Sequence, residues 1–326
     1  MARILVTGAT GFVGRHLAKL LRERGDRVFG TCFPDHPGCE DKDFIHLDLR
    51  LEVGAERAVG EAAPEWVFHL AAVSNVRQSW EKRGETIETN LLGTSSLFEA
   101  VRKRAPGARV LFISTSDVYG VHPDRETPFK EDDPTSVVNP YSFTKAAGEV
   151  LSRFYVEVEK LDIVIARPFP HTGPGQTADF VFSDWASQVA RIERGEAPPL
   201  LEVGNLEVRR DYSDVRDVIR AYVLLMEKGR RGEIYNVCSG RAVSLREVME
   251  TLLGLSRRPV DVRQDPARLR KTDIPYLAGD GSKLRRETGW TPEIPFSQTL
   301  RDLLDSWREK AAGRGAGGAR PSEERP

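Results

Sequence analysis

A chain of 326 residues with 48 basic and 49 acidic side chains and a net charge of −1 is long enough to bury one large core or two unequal ones, and its composition excludes bulk disorder. The charge balance excludes the broad positive field that gathers nucleic acid or an anionic membrane, so an anionic ligand has to be met by a local arginine cluster. No apolar run approaches the roughly 18 residues of a membrane span, and the start "MARILVTGAT" carries no leader pattern. The odd set Cys32, Cys39 and Cys238, without a CxxC pair, predicts reduced thiols in a cytoplasmic protein, with no disulfide framework and no metal site.

In chain order the sequence alternates β-rich runs with helical stretches: "RILVTG", a helix from Val13 to Arg24, "RVFGTCF", "DFIHLDL", "EWVFHLAA", a helix near Asn90 to Arg104, "RVLFIST" and "DIVIARP". This rhythm predicts an α/β, doubly wound parallel sheet (Rossmann) over residues 1–167, with chain returns from the C-terminal half. Gly25 is expected to cap the first helix, and Pro106-Gly107 to close the helix before "RVLFIST". Beyond Arg167 the breakers Pro168, Pro170, Gly173, Pro174 and Gly175 predict a smaller α/β substrate-binding lobe made mainly by residues 168–310. The tail 311–326 has almost nothing to bury and is expected to be disordered.

"VTGATGFVGRHL" places Gly8, Gly11 and Gly14 between the first strand and the first helix, where side chains would hold a pyrophosphate away from the backbone N–H groups and the helix N-terminus. The spacing GxxGxxG differs from the commonest dinucleotide fingerprint, and its strand-turn-helix context is what points to a nucleotide. The second strand should end in an acid for a ribose 2'-hydroxyl or an arginine for a 2'-phosphate. "VFGTCFPD" offers neither at that place: Asp35 lies beyond Pro34, and Arg15 reads equally as a phosphate contact or a solvated helix residue. The cofactor is therefore expected to be NAD or NADP, with the preference open. Asp48, in "HLDLR", is expected either to accept from the adenine amino group or simply to cap a turn.

"NPYSFTKAAGEV" sets Tyr141 and Lys145 four residues apart on one predicted helix face. A nearby ammonium favours phenolate and brings the phenol toward acid–base strength at neutral pH. Thr115 ends the strand "RVLFIST" where its hydroxyl would meet a reacting sugar carbonyl.

With "GATGFVG", "HLD", "HLAA", "TNLLGT", "STSDVYG", "YSFTK", "ARPF" and "RRDYSDVRDV", the chain resembles the extended short-chain dehydrogenase/reductase family over residues 1–308. The resemblance implies catalytic roles for Thr115, Tyr141 and Lys145. It implies a cofactor site of Gly8, Gly11, Phe12, Val13, Gly14, Asp48, Leu49, Leu70, Ala71, Ala72, Asn90, Tyr141, Lys145 and Pro168, and a homodimer built on the helix Ser142–Glu157 and the helix after Asn90. The second-lobe motifs are similar to those of GDP-4-keto-6-deoxy-mannose reductases and GDP-mannose 4,6-dehydratases. By that similarity Ser116 meets the substrate, Arg210 and Arg270 hold a diphosphate, and Asp273 holds a ribose hydroxyl. A guanidinium suits the phosphate task, since it offers two parallel donors.

The resemblance also divides two reactions. A dehydratase carries glutamate as the base for the sugar C5 proton where this chain has Asp117, and a displacement of about 1 Å in a base can cost on the order of a hundredfold in rate. Asp117 is thus counted with the catalytic group, as a polar neighbour or substrate contact more than an eliminating base. The expectation is a reductase that forms GDP-rhamnose from a GDP-linked 4-keto-6-deoxy sugar. The alternatives are a 4,6-dehydratase or related epimerase, and a non-catalytic nucleotide-binding regulator on the same fold. Pro170 stands where the related proteins carry asparagine, which bears on the stereochemistry at the sugar.

Overall fold

The computed structural model describes residues 1–33, 39, 43–268 and 274–314. Strands β1 (Arg3–Thr7), β2 (Arg27–Cys32), β3 (Phe44–His46), β4 (Trp66–His69), β5 (Arg109–Ile113) and β6 (Asp162–Pro168) join a seventh strand, Ile234–Val237, in one sheet. Its order is β3-β2-β1-β4-β5-β6 followed by Ile234–Val237, and every pairing is parallel. This is the doubly wound order expected of a dinucleotide-binding sheet.

Strand alternation decides what each face buries. Ile4, Val6, Leu111, Ile113, Val164 and Ala166 pack on one side with Leu17 and Leu21 of helix α1 (Phe12–Glu23) and with the helix Val215–Lys228. Leu5, Val110, Phe112, Ile163 and Ile165 pack on the other with α2 (Glu52–Ala62) and α5 (Gly93–Arg104). Both faces are covered, which explains why the strands read as nearly continuous apolar runs.

Between β4 and α5 the chain forms two short helices, α3 (Val76–Glu81) and α4 (Arg83–Ile87), then a π-helical turn, Glu88–Leu92, centred on Asn90. The sequence suggested one regular helix there; the extra residue of the π turn carries the buried Asn90 amide to its partners. Gly25 follows α1 with φ +84°, as expected of a C-terminal cap.

Two compact units emerge. The first comprises residues 1–171, 209–242 and 273–293, so the returns bring segments well past residue 168 back to the sheet. The second comprises 172–208, 243–272 and 294–326. Among its described residues are the helices Val181–Glu193, Leu245–Gly254 and Phe296–Arg314 and the parallel pair Leu200–Val203 with Asp261–Gln264. The helix Phe296–Arg314 extends past Ala311, where the chain was expected to lose structure; the rest of that tail lies outside the described residues. No helix among the described residues is long and apolar enough to cross a membrane.

Candidate active site

The glycine turn after β1 is shaped by contact as well as by conformation. Gly8 has φ +68°, and a Cβ there would lie 2.9 Å from the Cα and N of Ala71. At Gly14 a Cβ would fall 2.2 Å from the Gly8 carbonyl oxygen, so only glycine lets α1 start this close to the turn. Gly11 is the N-cap of α1 and donates its N–H to the Gly8 carbonyl at 3.0 Å. Phe12 and Val13 open the helix. The Gly8 N–H reaches the Thr31 hydroxyl at 3.3 Å, and the Ala9 N–H reaches the Thr31 carbonyl at 3.2 Å, so β2 holds the turn from behind. This cradle, which a side chain would fill, fits a dinucleotide pyrophosphate.

Ala71 is pinned as well. Its N–H donates to the Thr7 hydroxyl at 3.1 Å, and that hydroxyl lies 2.8 Å from Nδ1 of the buried His69. His69 Nε2 meets the Thr94 hydroxyl at 2.9 Å, and the Thr94 hydroxyl donates to the Asn90 carbonyl. The Thr94 oxygen therefore accepts from an Nε2–H tautomer, and burial first, then the Lys145 charge, pushes the imidazole down to about 3. Leu70, Ala71 and Ala72 follow β4 on this rigid base.

Two expected cofactor contacts have side chains bonded within the protein. Asp48 accepts from the backbone N–H of Arg50 at 3.0 Å and from its guanidinium, which holds the carboxyl below its usual range; this is the turn-capping alternative realised. Asn90 accepts from the Val73 N–H at 2.7 Å and donates to the Val73 carbonyl and the Thr144 hydroxyl, so its amide is engaged in tethering the π turn. Leu49 is buried beside Asp48, and Pro168 ends β6 opposite Val237.

The proton-handling residues lie on α6 (Pro140–Glu157) and at the end of β5. Asn139 caps α6 through a reciprocal box with Ser142, and Pro140 occupies the first turn, which fixes where Tyr141 and Lys145 fall on the helix. Thr115 is buried, accepts from the Asp117 N–H at 3.2 Å, and its hydroxyl acts on the Tyr141 phenol. Ser116 and Asp117 lie in the 3₁₀ turn Ser116–Tyr119. Burial first, and the Asp117 carboxylate second, push the Tyr141 phenol above its ordinary value, against the Thr115 hydrogen bond. Lys145 is pushed down to about 8 by burial and donates to the Ile113 carbonyl at 2.7 Å. Desolvation and Asp117, more than the Lys145 ammonium, act on the phenol here.

Arg210 donates to the Ile274 carbonyl in the first unit. Arg270 and Asp273 lie outside the described residues. The thiol expectation is also corrected: Cys32 and Cys39 form a disulfide, with 6.1 Å between Cα atoms, while Cys238 is a buried free thiol. His46 stands opposite Cys32 in the β2–β3 register, so donor atoms of Cys32, Cys39 and His46 lie within 4.8 Å of one another, a cluster that sequence spacing did not reveal. Sequence reading also passed over Glu149 and Arg167. The signal for them was a charge in the middle of the apolar strand "DIVIARP" and an acid one turn beyond Lys145.

Strand order, glycine turn and the tyrosine-bearing helix together define an oxidoreductase of the extended short-chain dehydrogenase/reductase class. Residues 5–303 match the family described as GDP-mannose 4,6 dehydratase, and the chain belongs to that family. It is 35% identical over 308 residues to GDP-6-deoxy-D-mannose reductase of Pseudomonas aeruginosa, covering 94% of this chain and 98% of that protein. The solved structure of RMD from Pseudomonas aeruginosa complexed with NADPH superposes with a TM-score of 0.85 at 34% identity, covering 95% of this chain and 100% of that one. The Thermus thermophilus UDP-glucose 4-epimerase complex with NAD gives 0.83 at 30% identity, over 94% and 99%.

Proposed function

We propose that this protein reduces the C4 keto group of GDP-4-keto-6-deoxy-D-mannose to GDP-D-rhamnose, with NADH or NADPH as reductant. The observation that carries the reading is the buried set made by Thr115 at the end of β5 with Tyr141 and Lys145 on α6, Lys145 being fixed on the Ile113 carbonyl and the phenol holding its proton at neutral pH. A group that enters the reaction holding its proton is an acid, which is what reduction of a ketone needs at the oxygen. The full-length similarity to a protein named GDP-6-deoxy-D-mannose reductase agrees in direction.

The reduced nicotinamide supplies the hydride. Thr115 orients the phenol, Tyr141 delivers its proton to the C4 oxygen, and Lys145, fixed on the Ile113 carbonyl, sets the charge beside the nicotinamide ribose. Asp117 adds to burial in raising the Tyr141 phenol and faces the sugar with Ser116; Arg210, Arg270 and Asp273 hold the GDP moiety. Gly8, Gly11, Phe12, Val13, Gly14, Asp48, Leu49, Leu70, Ala71, Ala72, Asn90 and Pro168 shape the cofactor bed, Asp48 through the turn it caps and Asn90 through the π turn it tethers to Val73 and Thr144. The second unit is the substrate lobe.

The functional molecule is a homodimer. Phe143, Val150, Phe154 and Val158 form an exposed stripe on α6, and Trp80, Ile87 and Leu92 are exposed on the neighbouring helices α3 and α4 and the π turn. An apolar face of this size fits a symmetry-related second copy of the same face.

The test is an assay with the purified GDP-4-keto-6-deoxy sugar and NADPH or NADH, in parallel with GDP-mannose and no added reductant. Reductant consumption in the first and no 4-keto-6-deoxy product in the second are expected. The converse result overturns the reading in favour of a dehydratase. Tyr141→Phe should lower kcat by roughly 10² to 10⁴ with cofactor binding retained.

A further inference from the structure

Helix α6 grips the end of β5 at two points one turn apart. Lys145 donates to the Ile113 carbonyl, and the next residue, Ser114, donates its hydroxyl to Glu149 at 2.5 Å. The Glu149 carboxylate is itself held by Arg167 of β6 through two parallel bonds of 2.8 and 2.7 Å. Neither side chain belongs to the surface, with Glu149 4% and Arg167 2% exposed. The remaining guanidinium nitrogen donates to the Tyr119 hydroxyl at 3.0 Å and to the Glu131 carbonyl at 3.1 Å, and Tyr119 donates to Asn236 at 2.7 Å. One ion pair therefore ties together the helix that carries Tyr141 and Lys145, the strand end that carries Thr115, and the 3₁₀ turn that carries Asp117.

A buried ion pair adds little net stability compared with apolar residues of the same size, while a half-broken one leaves a charge uncompensated. Stability alone is a poor reason to place one here. We propose that Glu149 and Arg167 are a positioning pair for the reaction: they fix Thr115 and Lys145 on facing elements, and they cancel each other's charge so that Lys145 feels neither. The inference rests on the reading of Tyr141 and Lys145 given above.

The groups facing Lys145 from other elements are few. His69 on β4, which faces Lys145, is neutral over any practical assay range, and the phenol of Tyr222, on the helix Val215–Lys228, faces Tyr141 and is held above its ordinary value by burial. Asp117 faces Tyr141 from the 3₁₀ turn.

The experiment is the pH profile of kcat for Glu149→Gln, Arg167→Met and the double variant, with the parent and Lys145→Met as references. Lys145 loses its proton near 8, so the parent's kcat should fall above that pH. Glu149→Gln leaves an unpaired guanidinium, which disfavours the ammonium and moves this limb to lower pH. Arg167→Met leaves an unpaired carboxylate and moves it to higher pH. Each shift should be about two pH units, the size one unpaired charge a helical turn away exerts at an effective dielectric of about 20. The double variant leaves no charge unpaired and folds even where a single variant does not. Its limb should match the parent's, with kcat about tenfold lower because the forked geometry is gone and KM for the cofactor unchanged. Shifts of the singles in the same direction, or a double variant with the parent's kcat, overturn the proposal. An active Lys145→Met instead overturns the reading of the site, whatever the pair does.

Discussion

Gly8 and Gly25 both have positive φ, +68° and +84°, yet they differ in what surrounds the missing side chain. Nothing lies within 4 Å of a Cβ built on Gly25, whereas at Gly8 it meets the Ala71 backbone at 2.9 Å. Alanine at Gly25 therefore carries only the left-handed cost, about 1 kcal/mol. Alanine at Gly8 carries that cost and must also displace backbone that Thr7 and His69 hold in place, for a total of roughly 2–4 kcal/mol. Because the same backbone lines the proposed pyrophosphate bed, Gly8→Ala should weaken NADPH or NADH binding at least tenfold, while Gly25→Ala should leave it within about twofold. Urea denaturation gives the stabilities, and cofactor fluorescence titration gives the affinities. Equal destabilisation by the two substitutions, or unchanged cofactor affinity in Gly8→Ala, would refute the claim that contact with Ala71 is what excludes a side chain there.

Lys145→Met should abolish reduction yet stabilise the fold at pH 7. Burial lowers the lysine from 10.5 to about 8, so the unfolded chain binds the extra proton; the penalty is fully present below pH 8 and is relieved as pH rises toward 10.5. At about 1.4 kcal/mol per unit, and with the bond to Ile113 lost, the gain at pH 7 should be roughly 1–3 kcal/mol, fading as pH rises from about 8 toward 10.5 in urea denaturation. Asp117→Asn should retain reductase activity within about tenfold, since the carboxylate acts on the phenol only second to burial and does not carry the proton; a loss of roughly 10² or more makes it a proton carrier. Val150→Glu with Phe154→Glu places charges on the exposed α6 stripe and should give a monomer in light scattering, whereas a dimer of unchanged mass refutes the assignment of that face.

The alternation of apolar runs with helical stretches was enough to specify the parallel sheet, because strands buried on both faces leave a continuous apolar signature and their crossover helices leave a 3.6-residue one. "NPYSFTK" likewise determined its own helix start, since cap, proline and box partner are all within four residues of one another. Contacts across the sheet were not legible in this way. The Glu149–Arg167 pair spans 18 residues, the Thr7–His69 contact 62, and the Cys32–Cys39 link joins two thiols without the CxxC spacing that marks a pair. Tertiary structure also decided the state of Tyr141. Helical spacing put an ammonium on the same face as the phenol, but desolvation and the Asp117 carboxylate act through space from a separate turn, and burial depends on every element packed around the group.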